Sequence, residues 1–430
     1  MLKEEKKVEQ GGVVAFRGDG FVTRPPGRAI DRLIELDEIE LVIEKLVAGG
    51  DGLGRFEGIP IFVPRTAPGD RLRARLVERK PGYGRAELVE LLEPGRGRRE
   101  PPCPHFGRCG GCDLQHLEDA VQLRLKSEAV LETIARISGL TLPPPRAIFA
   151  GDPWAYRTRT QVHTKRVEGG GAVVGYHARA SRELVVVERC PVLVPALERE
   201  VVTLGRRLPP SVPSRIDLAA GDGNQISIAP LIEGLPHGEL ARRVAGFDFA
   251  FDARCFFQGH ARLAGALVDT VVGEARGERA IDLYGGVGLF ALPLAKRYAQ
   301  VTLVEGDRIA SRYARRNARA NRIGNVEVVA QAVESWVPAG LPDGIDRVVV
   351  DPPRDGLSTS VRALLAGRAP RRLTYVSCHP AALGRDLKTL AEAFAIESLT
   401  LLDLFPQTGH MEVVVELGLH SDRRHGSVAG

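Results

Sequence analysis

The residues best suited to making and breaking bonds sit in three short segments near the end of the chain. Asp351-Pro352-Pro353-Arg354 follows the apolar run DRVVV, and Ser377-Cys378-His379-Pro380 follows LTYV. Pro406-Gln407-Thr408-Gly409-His410-Met411-Glu412 comes next. A cysteine attacks as its thiolate, and a free thiol has a pKa of ~8.5, so neighbours must favour the ionised form of Cys378. A thiolate adds well to an electron-poor ring carbon, and a nearby carboxylate such as Glu412 can remove the proton that must leave before the sulfur is expelled. Methylation at C5 of uracil demands this pair. C5 is a poor nucleophile until a thiolate adds at C6, and the C5 proton must then go to a base. Taken singly, a buried cysteine is more often inert, Asp-Pro-Pro can be an ordinary turn, and Glu412 can be a surface carboxylate on a strand. Their joint order gains meaning from what stands before them.

That earlier feature is AIDLYGGVGLFALPLAK, which reads as strand, glycine turn and helix, with Gly285, Gly286 and Gly288 at the turn. Glycines there let the backbone pass close to a ligand. A second strand, VTLVEGD, ends in Glu305, whose carboxylate can accept hydrogen bonds from both ribose hydroxyls of a nucleoside. The dinucleotide pattern G-x-G-x-x-G lacks its third glycine here, which favours S-adenosyl-L-methionine over NAD. Tyr284 stands where it can flank the ligand or fill the core.

Three of the six cysteines, Cys103, Cys109 and Cys112, crowd a Pro/Gly-rich loop. Such a cluster outside an oxidising compartment points to a metal or cluster site. Four thiolates hold zinc or a [4Fe–4S] cluster. The five-residue first gap, and prolines after Cys103 and Cys190, favour iron–sulfur. The fourth ligand is Cys190 or Cys255.

These groups need elements to position them. After residue 251, strand signals (AIDLYG, VTLVEG, VEVVAQA, DRVVVDPP, RLTYVSC, MEVVVEL) alternate with helical stretches, which predicts an α/β, doubly wound Rossmann-like sheet over 251–418. Ligands gather at the C-terminal strand ends of such sheets, so Asp351 and Cys378 are expected to face one crevice. Residues 95–250 read as a strand-rich central domain carrying the cysteine loop, with an amphipathic helix over 113–138. Residues 37–94 read as short strands between turns, an OB-like barrel that can bind single-stranded nucleic acid. Residues 1–36 and 419–430 read as disordered or flexible tails. With 44% hydrophobic and 26% charged residues the chain is an ordinary globular protein. No apolar stretch nears the ~20 residues that span a bilayer. MLKEEKKVEQGG lacks the apolar core of a signal peptide, so a cytoplasmic location is expected. The net charge of +5 permits a polyanionic partner. Arg71, Arg73, Arg75, Arg79, Lys80 and Arg85 crowd the barrel, and Tyr156, Arg157, Arg159, Lys165 and Arg166 offer phosphate contacts in the central domain.

On these residues the chain resembles the bacterial RNA uracil-5-methyltransferases, especially the 23S ribosomal RNA branch with a TRAM domain and an iron–sulfur cluster. The resemblance covers residues 37–418. It implies a methyltransferase domain, a TRAM barrel, Cys378 as nucleophile and Glu412 as base. In Phe256-Phe257-Gln258 it implies that Gln258 contacts the methyl donor, as do Tyr284, Glu305 and Asp351. It assigns the cluster to Cys103, Cys109, Cys112 and Cys190, and implies that the 113–138 helix packs on the catalytic domain. Ribosomal RNA is the expected substrate ahead of transfer RNA, and a monomer without membrane or obligate protein partner is expected. Four positions depart from the family pattern. His260 and His379 stand for asparagines, Gly285 for a cysteine, and Leu289 for an asparagine of close relatives.

Overall fold

The computed structural model describes residues 37–167, 171–209, 211 and 213–420. Of the tails expected at 1–36 and 419–430, residues 1–36 and 421–430 lie outside the described residues, and Leu419 instead ends the last strand of the chain. The chain divides into two compact units. One holds the chain up to Glu100 with His116–Glu118, and the other holds Pro101–Gln115 and everything from Asp119 on.

The first unit is a closed five-stranded barrel: β1 (Glu38–Leu46), β2 (Gly52–Phe56), β3 (Ile59–Val63), β4 (Arg71–Lys80) and β5 (Tyr83–Glu93), ordered β1-β2-β3-β5-β4. β4 alternates strictly, with Leu72, Ala74 and Leu76 buried among Ile39, Ile43, Ile61 and Val63. The arginines between them point outward onto acidic partners. Arg71 pairs with Glu40 and Glu93, Arg73 with Glu38 and Glu90, Arg75 with Glu38, and Arg85 with Asp51 and Glu78. The barrel face is therefore a ladder of ion pairs, with far less positive field than its arginine count suggests.

In the second unit, helix α1 (Asp119–Ser138) begins six residues later than its periodicity predicts. Residues 113–118 are turn and bridge, with their own hydrogen bonds. A short strand β6 (Ala147–Phe149) follows. β7 (Arg159–Arg166), β8 (Ala172–His177), β9 (Leu184–Val186), helix α2 (Pro195–Leu204), β10 (Arg215–Ala220) and β11 (Ile226–Ala229) form the central fold. Its five-stranded sheet runs β11-β10-β7-β8-β9. Val162, Leu197, Val201, Ile216 and Leu218 are its core. β12 (Leu240–Val244) and β13 (Phe247–Phe251) pair as a hairpin. Its Leu240, Val244, Phe249 and Phe251 pack into the catalytic core rather than the central one. A boundary at 250 thus cuts through a hairpin.

The remaining elements alternate: α3 (Ala264–Val272), β14 (Gly277–Leu283), α4 (Ala291–Leu294), β15 (Tyr298–Val304), α5 (Arg308–Ala320), β16 (Val326–Val329), α6 (Val333–Gly340), β17 (Arg347–Val350), α7 (Thr359–Arg368), β18 (Arg372–Ser377), α8 (Pro380–Leu390), β19 (Phe394–Leu402) and β20 (Glu412–Leu419). They build an eight-stranded sheet, β16-β15-β14-β17-β18-β20-β19-β6. β14 to β18 run parallel, while β20 runs antiparallel between β18 and β19. Two members escape the sequence reading. β19 closes the sheet beside β20, and β6, placed by the sequence reading in the central domain, adds to this sheet's edge. Helix α1 contributes Val130 and Ile134 to the core that holds Leu383 and Leu387 of α8.

Candidate active site

The reversed direction of β20 builds the site. Parallel strands β17 and β18 deliver Asp351 and Cys378 just beyond their C-terminal ends. β20 runs the other way, so its first residue, Glu412, arrives at the same edge. Ser377 pairs with Val413, and one further step in that antiparallel register sets Cys378 across from Glu412. Side chains opposed in this way have Cβ atoms roughly 5 Å apart. Glu412 is 3% exposed and Cys378 half-buried.

The electrostatics show that these groups sense one another. Burial, and then the Glu412 carboxylate, push the Cys378 thiol up to about 11; Arg354 opposes this with its charge and a hydrogen bond. Burial lifts Asp351 to about 7. Burial and then Asp351 hold Glu412 well above the usual carboxylate range. A third acid, Asp282 at the end of β14, is completely buried, and burial followed by Asp351 and Glu305 raises it well above that range. Neither of its oxygens has a hydrogen-bond partner of good geometry, the Ala291 amide being the one group that offsets the shift. Asp351 links the two halves of this group, acting on Cys378 and Glu412 on one side and on Asp282 on the other, and such buried carboxyls are costly to ionise unless a cation is received beside them. Asp282 and Arg354 lie in the motifs AIDLYGG and DPPR, but residue type and spacing alone give them no role. The visible signal is that each sits in a motif beside a predicted ligand turn.

The glycine turn after β14 has the shape a ligand requires. Tyr284 is held at φ 63°, a region costly for a side chain of its size, and Gly286 and Gly288 follow at 54° and 95°. A Cβ at Gly285 would lie 2.5 Å from Leu303 Cγ, so glycine at this departure from the family pattern has a packing cause. The Glu305 carboxylate accepts the amides of Gly286 (2.9 Å) and Asp307 (2.6 Å), fastening it to the turn. The Tyr284 hydroxyl donates to Glu334 at 2.8 Å. Gln258 is buried between β13 and α3, where Arg242 donates to its carbonyl at 3.2 Å.

The two histidine departures both accept backbone amides through Nδ1. His379 caps α8, its Nδ1 accepting the Ala382 amide at 3.2 Å. Nδ1 of His260 accepts the amides of Arg262 and Leu263, both at 3.2 Å, ahead of α3. The carbonyl oxygen of an asparagine caps helices by the same geometry. Leu289 is simply buried in the catalytic core.

Cys103, Cys109, Cys112 and Cys190 line one cavity of about 230 Å³. Cys255 lies instead in the apolar core with Phe251 and Phe257. Burial raises the Cys112 thiol to about 12 and Cys190 to about 11, and other cysteines of the set add to the rise. Among the described residues, no group of three or more His, Cys, Asp or Glu side chains is spaced to hold a metal ion. Three of the proposed phosphate contacts are turned inward, Arg157 lining the four-cysteine cavity and donating through Nε to the Arg159 carbonyl at 2.9 Å. The Tyr156 side chain is 2% exposed, and Arg159 donates to the carbonyls of Cys255 and Ala253. Lys165 and Arg166 are exposed. Among the described residues, no helix is long and apolar enough to cross a membrane.

Comparison with known proteins brings these features together. A family model described as tRNA (uracil-5-)-methyltransferase matches residues 343–419, the TRAM domain matches 35–89, and the methyltransferase small domain matches 255–374. The chain is 32% identical to an RNA methyltransferase of Protochlamydia amoebophila, over 88% of this chain and 97% of that protein. It is also 32% identical to the 23S rRNA (uracil(1939)-C(5))-methyltransferase RlmD of Alkalilimnicola ehrlichii, over 89% of this chain and 96% of that one. In structure it resembles the Pyrococcus abyssi tRNA (uracil-54, C5)-methyltransferase in complex with S-adenosyl-L-homocysteine. The TM-score is 0.66 at 25% identity, over 88% of this chain and all of that one.

Proposed function

Because the chain belongs to the RNA uracil-C5 methyltransferase family, we propose that it methylates C5 of a uridine in 23S ribosomal RNA, with S-adenosyl-L-methionine as donor and Cys378 as transient nucleophile. The observation that carries this reading is the placement of Cys378 across from Glu412, with Asp351 and Arg354 acting on the same thiol. Ribosomal RNA is favoured over transfer RNA because the near full-length relatives that act on it share 32–33% identity, against 25% for the transfer-RNA enzyme.

Tyr284, Glu305, Asp351 and Gln258 are assigned to the donor. The fastened Glu305 carboxylate keeps lone pairs for ribose hydroxyls, and a bound sulfonium would favour the ionised forms of Asp282 and Asp351, opposing the rise that burial gives them. Arg354 steadies the thiolate of Cys378, which adds to C6 of the extruded base. C5 then takes the methyl group and the donor leaves as S-adenosylhomocysteine. Glu412 removes the C5 proton, and the C6–S bond breaks to return the thiolate. The four-cysteine cavity is assigned to a [4Fe–4S] cluster held by Cys103, Cys109, Cys112 and Cys190. Four sulfur donors around one cavity support the assignment, and the five-residue first gap with prolines after Cys103 and Cys190 favours a cluster over zinc. When bound it supplies a cross-link between loop and central sheet, and none of the steps above needs an electron from it.

The test uses unmodified ribosomal RNA and labelled donor. Cys378→Ala should lower methyl transfer by at least about a thousandfold and form no adduct. Glu412→Gln should accumulate a protein–RNA adduct on a denaturing gel. Full turnover by the alanine variant would end the covalent route.

A further inference from the structure

The turn that carries Glu412 is held by the chain that leaves the cysteine loop. Gln407, fully buried, sits at φ 67°, a strained conformation for a non-glycine residue. Such strain persists only where the surroundings dictate it. Here they do. The amides of Asp113 and Leu114 both donate to the Gln407 carbonyl, at 2.8 and 3.1 Å. The Gly409 amide donates to Asp113 Oδ2 at 3.1 Å. Farther along, Gln407 Nε2 donates to Asp119 Oδ1 (3.0 Å), and Gln122 exchanges two hydrogen bonds with Gln407. Lys126 donates to Asp403 (2.6 Å) and the Phe405 carbonyl (3.0 Å). The central domain adds the Tyr156 hydroxyl, which donates to the Pro406 carbonyl at 2.9 Å.

Asp113 is the residue immediately after Cys112. Its other oxygen accepts from Arg179 at 2.7 Å. The preceding loop is tied to the same hairpin, through the Gly110 amide on the His177 carbonyl and a bridge between Cys109 and Ala178. A shift of the cysteine loop therefore has a two-residue path, Cys112 to Asp113, to the strained turn five residues before Glu412. We propose that Asp113 is a positioning residue that makes the placement of Glu412 depend on the ordering of the four-cysteine loop. The enzyme thereby resolves its covalent adduct efficiently only when the cavity is filled. This rests on the reading of Glu412 as the base. It predicts that the step failing first is release of product, not formation of the adduct, because Cys378 lies in the β18–α8 connection and not in this turn.

The experiment compares the anaerobically purified full-length protein with Asp113→Ala and Asp113→Asn, all with a 23S ribosomal RNA transcript and S-adenosylmethionine. Asp113→Ala should form the adduct at the wild-type rate and release methylated RNA roughly tenfold more slowly, with KM for both substrates within about twofold. Asp113→Asn keeps an acceptor for the Gly409 amide and should recover most of the release rate, which also guards against a folding defect in the alanine variant. Hydrogen exchange at residues 407–412 should quicken in Asp113→Ala, and in wild-type protein stripped of iron by oxidation and chelation. Wild-type release by Asp113→Ala, or unchanged exchange at 407–412 in the stripped protein, would overturn the proposal. If the intact wild type transfers no methyl group, the functional reading fails, and the exchange measurement still decides whether the loop and the turn are coupled.

Discussion

At the scale of single residues, the site sets a thiol that resists ionisation beside carboxyls that resist it too. Cys378 is raised to about 11 and Asp351 to about 7, with Glu412 raised well above its ordinary value by burial and by Asp351. A carboxyl with a raised pKa is a base only above that value, so falling pH should deprive the elimination step of its base as the Asp351–Glu412 pair takes up a proton. The thiolate population of Cys378 grows tenfold with each pH unit until its own pKa is passed. Both effects have the same sign. The multiple-turnover rate at saturating RNA and donor, which includes both the thiolate addition and the elimination, should climb continuously from about pH 6 to about pH 9, without the plateau at neutrality that an ordinary carboxylate with a pre-ionised thiolate would give. A flat profile over that range would mean that the resting environment of these groups is not the one in which they react. The departures at His260 and His379 belong to this scale as well. His379 caps α8, a role the side-chain oxygen of an asparagine also fills, whereas His260 accepts the amides of Arg262 and Leu263 in the turn before α3 without capping that helix.

At the scale of elements, the site depends on the order of strands more than on any one loop. Inserting β20 backwards between β18 and β19 brings residue 412 to the edge where residues 351 and 378 end. Helix α1 secures the segment between β19 and β20 through a buried ion pair, Lys126 with Asp403, whose side chains are 0% and 8% exposed. Burial lowers the Lys126 pKa while Asp403 opposes the shift, so the pair survives by mutual neutralisation. Lys126→Ala would leave Asp403 buried and unpaired, a defect that costs about 3–5 kcal/mol. The denaturant midpoint of that variant should fall accordingly, and Lys126→Ala/Asp403→Ala should recover part of the loss. Equal midpoints for both variants would show that the pair is not coupled. Much of this architecture is legible in the sequence, because parallel strands buried on both faces leave continuous runs such as RVVV and RLTYV. What escapes has physical causes. β2 reads GLGRF, two of its five residues being glycines, and a Cβ at Gly54 would lie 2.5 Å from the Val42 carbonyl. β6 is three residues long, and at least two of its side chains are largely exposed. Cys378 and Glu412 stand out by motif. Asp282 does not, because nothing in a lone acid at a strand end announces that its partners are absent.

At the scale of the molecule, the central and catalytic folds form one compact unit, and the cysteine loop joins segments far apart in the chain. Cys112 and Cys190 are separated by 78 positions (190 minus 112) yet line the same cavity. A cross-link closing a loop of that length removes unfolded-state entropy worth about 4–5 kcal/mol on the chain-entropy account used for disulfides. Metal-thiolate bonds add to folding free energy in the same direction. A filled cavity should therefore be a stabilising feature as well as a coloured one. Cys190→Ala should emerge from anaerobic purification without brown colour or bound iron, and should unfold at a clearly lower denaturant concentration. Cys255→Ala should keep its iron, because that residue belongs to the apolar core that holds Phe251 and Phe257 and does not line the cavity. Its own loss of stability should be the small one of a trimmed core side chain, about 1–2 kcal/mol. Iron and sulfide analysis of the two variants separates the assignments that spacing alone leaves open. Iron retained in Cys190→Ala and lost in Cys255→Ala would move the fourth ligand to Cys255, and a colourless wild type holding one zinc per chain would replace the cluster altogether.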